Sequence, residues 1–300
     1  MQELSILCCS LAMKLSDFSK CSAGVTGCPD CDAVGFYLEE FSPGSPTESL
    51  RLCHCISQNC NSCYSRGKAP YLTYDAVLDK MVPCECHEAR MRIQEIESLL
   101  KTSNIPPKYQ YKFLSSMDLD GNSMISLYVA HDWANELIEN WPDLSYWKKK
   151  KKPRKGMYLW GNTGSGKTLL ACSILNELIF RYQTKCRYAK INKDFLGALR
   201  DSYNKESSYH GQEMSIQDEF ANVEVLVIDD FGIQKDSDWV DEKLYALIDA
   251  RYEKEKTTLL TSNTPTSDWK DKGHGRIFSR LCEMTHELHI DCPDYRLRFV

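Results

Sequence analysis

GMYLWGNTGSGKTLLACSILNELIF, residues 156–180, decides the fold of this 300-residue chain. A mostly apolar run, GMYLW, leads into a glycine-rich turn, and a long apolar stretch follows it. The turn fits G-x-x-x-x-G-K-[ST] through Gly161, Gly166, Lys167 and Thr168, and it sits between an expected strand and an expected helix, as that pattern requires. Its glycines let the backbone amides point inward at phosphate oxygens, and the dipole of the following helix adds to the attraction. Gly161, Asn162, Thr163, Gly164, Ser165, Gly166, Lys167 and Thr168 are therefore expected to cradle a nucleotide such as ATP. Lys167 should reach the β- and γ-phosphates, and the Thr168 hydroxyl should bind magnesium.

Outward from this stretch, strands are expected at 156–160, 186–191, 223–228, 257–262 and 286–290, alternating with helices at 166–182, 193–203 and 239–254. Alternation of this kind implies an α/β domain whose five-stranded, mainly parallel sheet is covered on both faces, with its ligand at the carboxyl ends of the strands. VEVLVIDD (223–230) is a continuous apolar run that ends in two acids, as a central parallel strand should be. Asp229 is expected to hold magnesium through water, and Asp230 to polarise the attacking water. TTLLTSN (257–263) ends in Asn263, whose amide could touch the γ-phosphate or orient that water. GRIFSRL (275–281) and PDYRLRFV (293–300) supply Arg276, Arg280 and Arg296, and an arginine reaching a γ-phosphate across a subunit boundary accelerates hydrolysis.

Upstream the chain changes character. It holds 15 cysteines, and eleven of them fall within the first 86 residues. Glu3 stands where an export signal has basic residues, and no run approaches the roughly 20 apolar residues that span a bilayer, so a cytoplasmic protein with reduced thiols and no membrane association is expected. CPDC (28–31) followed by CHC (53–55), and CNSC (60–63) followed by CEC (84–86), repeat one layout with gaps of 21 and 20 residues. Such spacing suits tetrahedral zinc on thiolates. Sequential sites would use Cys28, Cys31, Cys53 and Cys55, then Cys60, Cys63, Cys84 and Cys86. An outer-and-inner arrangement would instead join Cys28, Cys31, Cys84 and Cys86 around one metal and the middle four around another. His54 or His87 could also replace a neighbouring thiolate. Cys172, Cys186, Cys282 and Cys292 are isolated and suit small apolar core positions.

The resulting organisation is a leader over 1–20, a small zinc-binding domain over 21–88, a connecting helix over 89–103 and a nucleotide-binding domain over 104–300. SNIPPKYQYKF breaks the connecting helix, since two prolines cannot continue it, and a second helix is expected at about 124–140. WKKKKKPRKG (147–156) is a solvated loop or a local nucleic-acid patch. The formal net charge of −5 excludes a chain that coats nucleic acid along its whole surface.

Taken together, GMYLWGNTGSGKTLLACSILNEL, VLVIDDFG, EKLYALIDARYEKEKTTLLTSN, GRIFSRL and the late DYR resemble the DnaC and DnaI type helicase loaders, members of the AAA+ ATPases. The resemblance covers about residues 104–300, including IPPKYQYKF as the segment beside the nucleotide. It implies an AAA+ P-loop ATPase in which Lys167 and Thr168 form the Walker A pair and Asp229 and Asp230 the Walker B acids. In the same way Asn263 is the sensor-one residue, Arg280 the arginine finger with Arg276 its companion, and Arg296 the sensor-two arginine. A CxxC followed by CxC ahead of the ATPase domain also resembles loaders, although here the unit occurs twice. The implied function is ATP-dependent loading of a replicative hexameric helicase on single-stranded DNA, with ATP-dependent self-assembly and with ATP, magnesium and zinc as cofactors. An IstB-type transposition helper that binds duplex DNA shares nearly the same nucleotide motifs and is the alternative.

Overall fold

Each half of the cysteine repeat brackets a β-hairpin. In the computed structural model, which describes residues 18–39, 49–58, 60, 63, 67–119, 124–149, 156–233, 237–270 and 275–295, β1 (Phe36–Glu39) and β2 (Ser49–Leu52) pair antiparallel between the CPDC and CHC stretches. The short α1 (His54–Ser57) follows. β3 (Leu72–Asp75) and β4 (Lys80–Pro83) pair in the same way between CNSC and CEC. α2 (His87–Thr102) then buries Ala89, Ile96 and Leu100. In one buried cluster of this unit Ile56, Tyr71 and Ala89 pack with Cys21, Cys63, Cys84 and Cys86. A small unit with cysteines placed so is the kind in which a metal supplements burial.

The chain divides into two compact units, Met1–Lys101 and Thr102–Val300. In the second, α3 (Ile125–Glu139) and α4 (Leu144–Lys149) precede β5 (Gly156–Gly161) and α5 (Lys167–Tyr182). β6 (Cys186–Lys190) runs into a π-helical stretch, Ile191–Gly197, and α6 (Ala198–Ser202). α7 (Glu213–Asn222), β7 (Val225–Asp229), α8 (Asp238–Glu253), β8 (Thr257–Ser262), α9 (Arg276–Met284) and β9 (Thr285–Ile290) complete it.

The five strands form one sheet in the order β6-β7-β8-β5-β9. Every pairing in it is parallel. The glycine-rich stretch thus follows a strand flanked on both sides, and the acid-tipped β7 lies one strand further along.

Side chains alternate across the sheet. Leu226 and Ile228 of β7, Tyr158 of β5 and Leu260 of β8 join Leu244 and Ile248 of α8 and Ile277 and Leu281 of α9 in one buried cluster. The other face lies against α5, which is buried at every position from Leu170 to Phe180. Arg251 of α8 is wholly buried and donates to Thr258 Oγ1 (2.9 Å), Phe220 O (2.8 Å), Val223 O (2.9 Å) and Thr257 O (2.6 Å), tying the α7–β7 turn to β8. Burial pushes its pKa below the usual arginine value, and these four acceptors offset the desolvation of the charge. No described helix is long and apolar enough to cross a membrane.

The periodicity places α3, α5, α8 and the five strands within about two residues of their observed bounds. It predicts one helix over 193–203 where the structure has a π-helical stretch and then α6. It leaves α4, α7 and α9 unassigned, the first running into the basic stretch and the last overlapping the arginine motif.

Candidate functional site

The phosphate loop takes its shape from backbone that only glycine adopts freely. Gly161 (φ +144°), Gly164 (φ +77°) and Gly166 (φ +92°) are all left-handed. A Cβ on Gly164 would stand 1.8 Å from Asp294 Oδ1, so the loop is also closely covered by the segment after β9. Lys167 is buried, and its Nζ donates to Gly161 O (2.8 Å) and Asn162 O (2.6 Å), which aims the ammonium into the loop. Ser165 Oγ donates to Asn162 O at 2.8 Å and stiffens the turn.

Asp229, the last residue of β7, is buried and accepts hydrogen bonds from three hydroxyls. Thr168 Oγ1 donates to its Oδ1 at 2.8 Å, Thr261 Oγ1 to Oδ1 at 2.6 Å and Tyr188 OH to Oδ2 at 2.5 Å. These donors come from α5, β8 and β6, so the sheet order itself assembles the cage. Burial, reinforced by the bond to Asp229, raises the Tyr188 phenol, which stays a donor across the physiological range. An acidic oxygen beside the Thr168 hydroxyl offers the hard oxygen donors that magnesium prefers.

Asp230 sits just past the strand in a left-handed conformation (φ +60°), which aspartate tolerates better than most residues. Its amide donates to Thr261 Oγ1 at 3.1 Å, and its carboxylate faces Lys190 Nζ at 3.7 Å. Asn263 is the first residue beyond β8 and is exposed. Strands β7 and β8 run parallel with Ile228 beside Leu260, so Asp230 and Asn263 leave the same end of the sheet.

Arg280 stands apart from this cluster. On α9 its Nε is paired with Asp249 of α8, and its guanidinium lies over the rings of Tyr245 (5.0 Å) and Tyr252 (5.6 Å). Arg276 lies over Tyr245 at 5.8 Å. Arg296 falls outside the described residues.

Next to the loop lies a cavity of about 270 Å³ lined by Tyr109, Ser116, Met117, Asp118, Met124 and Leu127, by residues 164–169, and by Cys292, Pro293 and Tyr295. Apolar at one end and edged with loop amides at the other, it has the division of labour of a nucleotide pocket. Tyr188, Thr261 and Lys190 escape a reading by motif because each belongs to a neighbouring strand. The alternation of β6 was the available signal, since Tyr188 and Lys190 share a face with Asp229.

In the first unit the sulfurs of Cys28, Cys31, Cys53 and Cys55 all lie within 4.8 Å of one another, and those of Cys60, Cys63, Cys84 and Cys86 form a second such group. Between Cys28 and Cys53 the separation is 3.7 Å, and between Cys31 and Cys55 it is 3.5 Å. Four sulfurs about 2.3 Å from zinc lie about 3.8 Å apart along the edges of a tetrahedron, so the donor set fits this metal. The grouping is sequential, and the outer-and-inner arrangement is not the one the fold brings together. His54 stacks on Tyr37, and His87 Nδ1 faces Pro70 O at 3.0 Å, so neither belongs to a cluster.

A family model described as IstB-like ATP binding protein matches residues 47–299. Over 219 residues the chain is 27% identical to the Bacillus subtilis protein YqaM, a match spanning 71% of this chain and 61% of that one. It is 25% identical over 121 residues to the Escherichia coli replicative helicase loader DnaC, across 40% of this chain and 47% of the loader. The matched parts thus span roughly half to three-fifths of these relatives' lengths. Among solved structures, a Streptococcus pyogenes protein provisionally assigned as a primosome component is similar with a TM-score of 0.50 and 23% identity, over 66% of this chain and 96% of the other. That likeness concerns the fold.

Proposed function

The chain belongs to the IstB-like ATP-binding family, and from that premise we propose that it is an ATPase that loads a replicative hexameric helicase onto single-stranded DNA. The observation that carries the ATPase part is the contact of the Thr168 hydroxyl with Asp229 at 2.8 Å, directly beside the buried Lys167 ammonium. The loop amides and Lys167 bind the triphosphate, and the apolar end of the cavity takes the base. Magnesium, held by Thr168 and, through water, by Asp229, would neutralise charge on the phosphates. Asp230 accepts a proton from the attacking water once Lys190 yields, and Asn263 orients that water. Arg280, whose described partners are Asp249, Tyr245 and Tyr252, acts on the nucleotide of a neighbouring protomer, which makes hydrolysis depend on assembly. Arg296 is assigned the sensor-two role from its position in the late DYR stretch.

The two four-cysteine groups hold structural zinc, since four thiolates leave no open coordination position. Together with α2 they form the module that docks on the helicase. The similarity to DnaC supports the loader reading. In a loading assay, the full chain should place the helicase from the same genome on a single-stranded DNA circle only with ATP present. A chain that ignores single strands, binds duplex DNA with ATP and leaves the helicase unloaded would favour the transposition helper, to which the family description also points.

A further inference from the structure

Residues 105–118 contribute Tyr109, Ser116, Met117 and Asp118 to the lining of the cavity, and they contain only two short 3-10 turns, Pro107–Tyr109 and Leu114–Ser116. Backbone groups in such a segment have no helix or sheet ladder to satisfy them, and burying them unpaired is costly. Polar side chains on α5 and α3 supply the partners. Asn176, fully buried in α5, donates through Nδ2 to Tyr109 O and to Lys112 O, both at 2.7 Å. Its neighbour Glu177, 2% exposed, accepts from the Leu114 amide at 3.2 Å and is held by Arg181 Nε at 2.7 Å. His131 of α3 reaches Leu114 O at 3.2 Å. Phe113 packs edge-on against Phe180 of α5, with ring centroids 5.1 Å apart.

The same helix that begins with Lys167 and Thr168 therefore also grips this second part of the cavity lining. Nothing in the phosphate chemistry uses Asn176. Its Oδ1 accepts no hydrogen bond among the described residues, so the amide bears a burial cost that a leucine of similar size would avoid. What the amide provides is a pair of donors aimed at the backbone on either side of the loop between Tyr109 and Lys112. That loop carries Tyr109, and the same anchored segment carries Met117, into the cavity lining that Met124 and Leu127 share. A planar, largely apolar group fits such walls, and a phosphate does not.

We propose that Asn176 is a positioning residue for the nucleotide base: it holds the base-side wall at a fixed distance from the phosphate loop, so that one rigid helix registers both ends of the ligand. This rests on the nucleotide reading of the pocket. It makes base preference separable from phosphate grip. The test is titration of the full chain with ATP, GTP and CTP, and with tripolyphosphate as a baseless probe, for wild type and Asn176→Leu. The expected result is a wild-type preference for one base by about tenfold or more, lost in Asn176→Leu through weaker binding of the preferred nucleotide, while tripolyphosphate affinity stays within about twofold. Unchanged base preference in the variant, or equal loss of nucleotide and tripolyphosphate, would overturn the assignment. Should the leucine variant fail to melt cooperatively, hydrogen exchange on Asn176→Ser decides. Faster exchange of amides 109–114 with an unchanged α5 supports the role, and an unchanged 109–114 rejects it. Wild type that binds neither nucleotide nor tripolyphosphate would contradict the ATP reading itself, whereas wild-type binding that Asn176→Leu leaves untouched would contradict only the role of Asn176.

Discussion

Asp229 and Asp230 are adjacent acids with opposite surroundings, and their chemistry follows from that contrast. Asp229 is buried under three hydroxyl donors, while Asp230 turns out of the strand and its carboxylate faces Lys190 at 3.7 Å. Hydrogen bonds to a charged acceptor contribute about 1.5–3 kcal/mol each, so Tyr188→Phe should lower stability by about 1.5 kcal/mol while ATP binding persists; a thermal melt and an ATP titration on one sample check both. Lys167→Ala should abolish nucleotide binding, whereas Asp230→Asn should bind ATP normally and lose hydrolysis by about a hundredfold or more, the usual weight of general-base catalysis. Equal loss of binding in the two variants would undo the division of labour. Lys167, Thr168 and the two acids were legible from the chain because motif spacing carries them. The hydroxyls of Tyr188 and Thr261 were not, because they reach Asp229 only after the strands are ordered in the sheet.

At the scale of elements, what could be read depended on burial pattern. Strands β5 and β7 are nearly continuous apolar runs because both faces are covered, and β8 is buried throughout although only Leu259 and Leu260 in it are apolar. α5 and α8 follow as long apolar-spaced segments. α9 is only nine residues and mixes Arg276 and Arg280 with Ile277 and Leu281, too short a run for its helical periodicity to stand out in the sequence. α7 was equally hard to see, since Ile216 and Phe220 are its main apolar contacts and acids surround them. Arg251 looks like one more surface cation in a charged helix, yet it joins three elements from inside the core. Replacing it with methionine keeps the volume but strands three carbonyls and a hydroxyl. Arg251→Met should therefore cost on the order of 3 kcal/mol, a fall in melting temperature of roughly 10 °C for a unit of this size. A shift under about 2 °C would mean those acceptors find other donors.

For the whole molecule, the proposed function requires a first unit that zinc holds and a second that ATP drives. Metal analysis of the full chain should return two zinc ions per molecule, and a value well below two would remove the tandem sites. Zinc should be retained near neutral pH and released as the pH falls, since protons and metal compete for the same sulfurs. Stripping the metal should disorder the hairpins and leave ATP binding largely intact, as circular dichroism and nucleotide titration together would report. Arg280→Ala should bind ATP like wild type, yet lose the rise of specific ATPase activity with protein concentration. The cysteine layout made the first unit legible as a repeat, but only the folded hairpins show which thiols meet. The most direct measurement of the central claim is native mass spectrometry of the full chain mixed with the replicative helicase from the same genome, with and without ATP. A stoichiometric complex with the helicase hexamer in the presence of ATP is the predicted result; no complex in any nucleotide state would contradict the loader assignment.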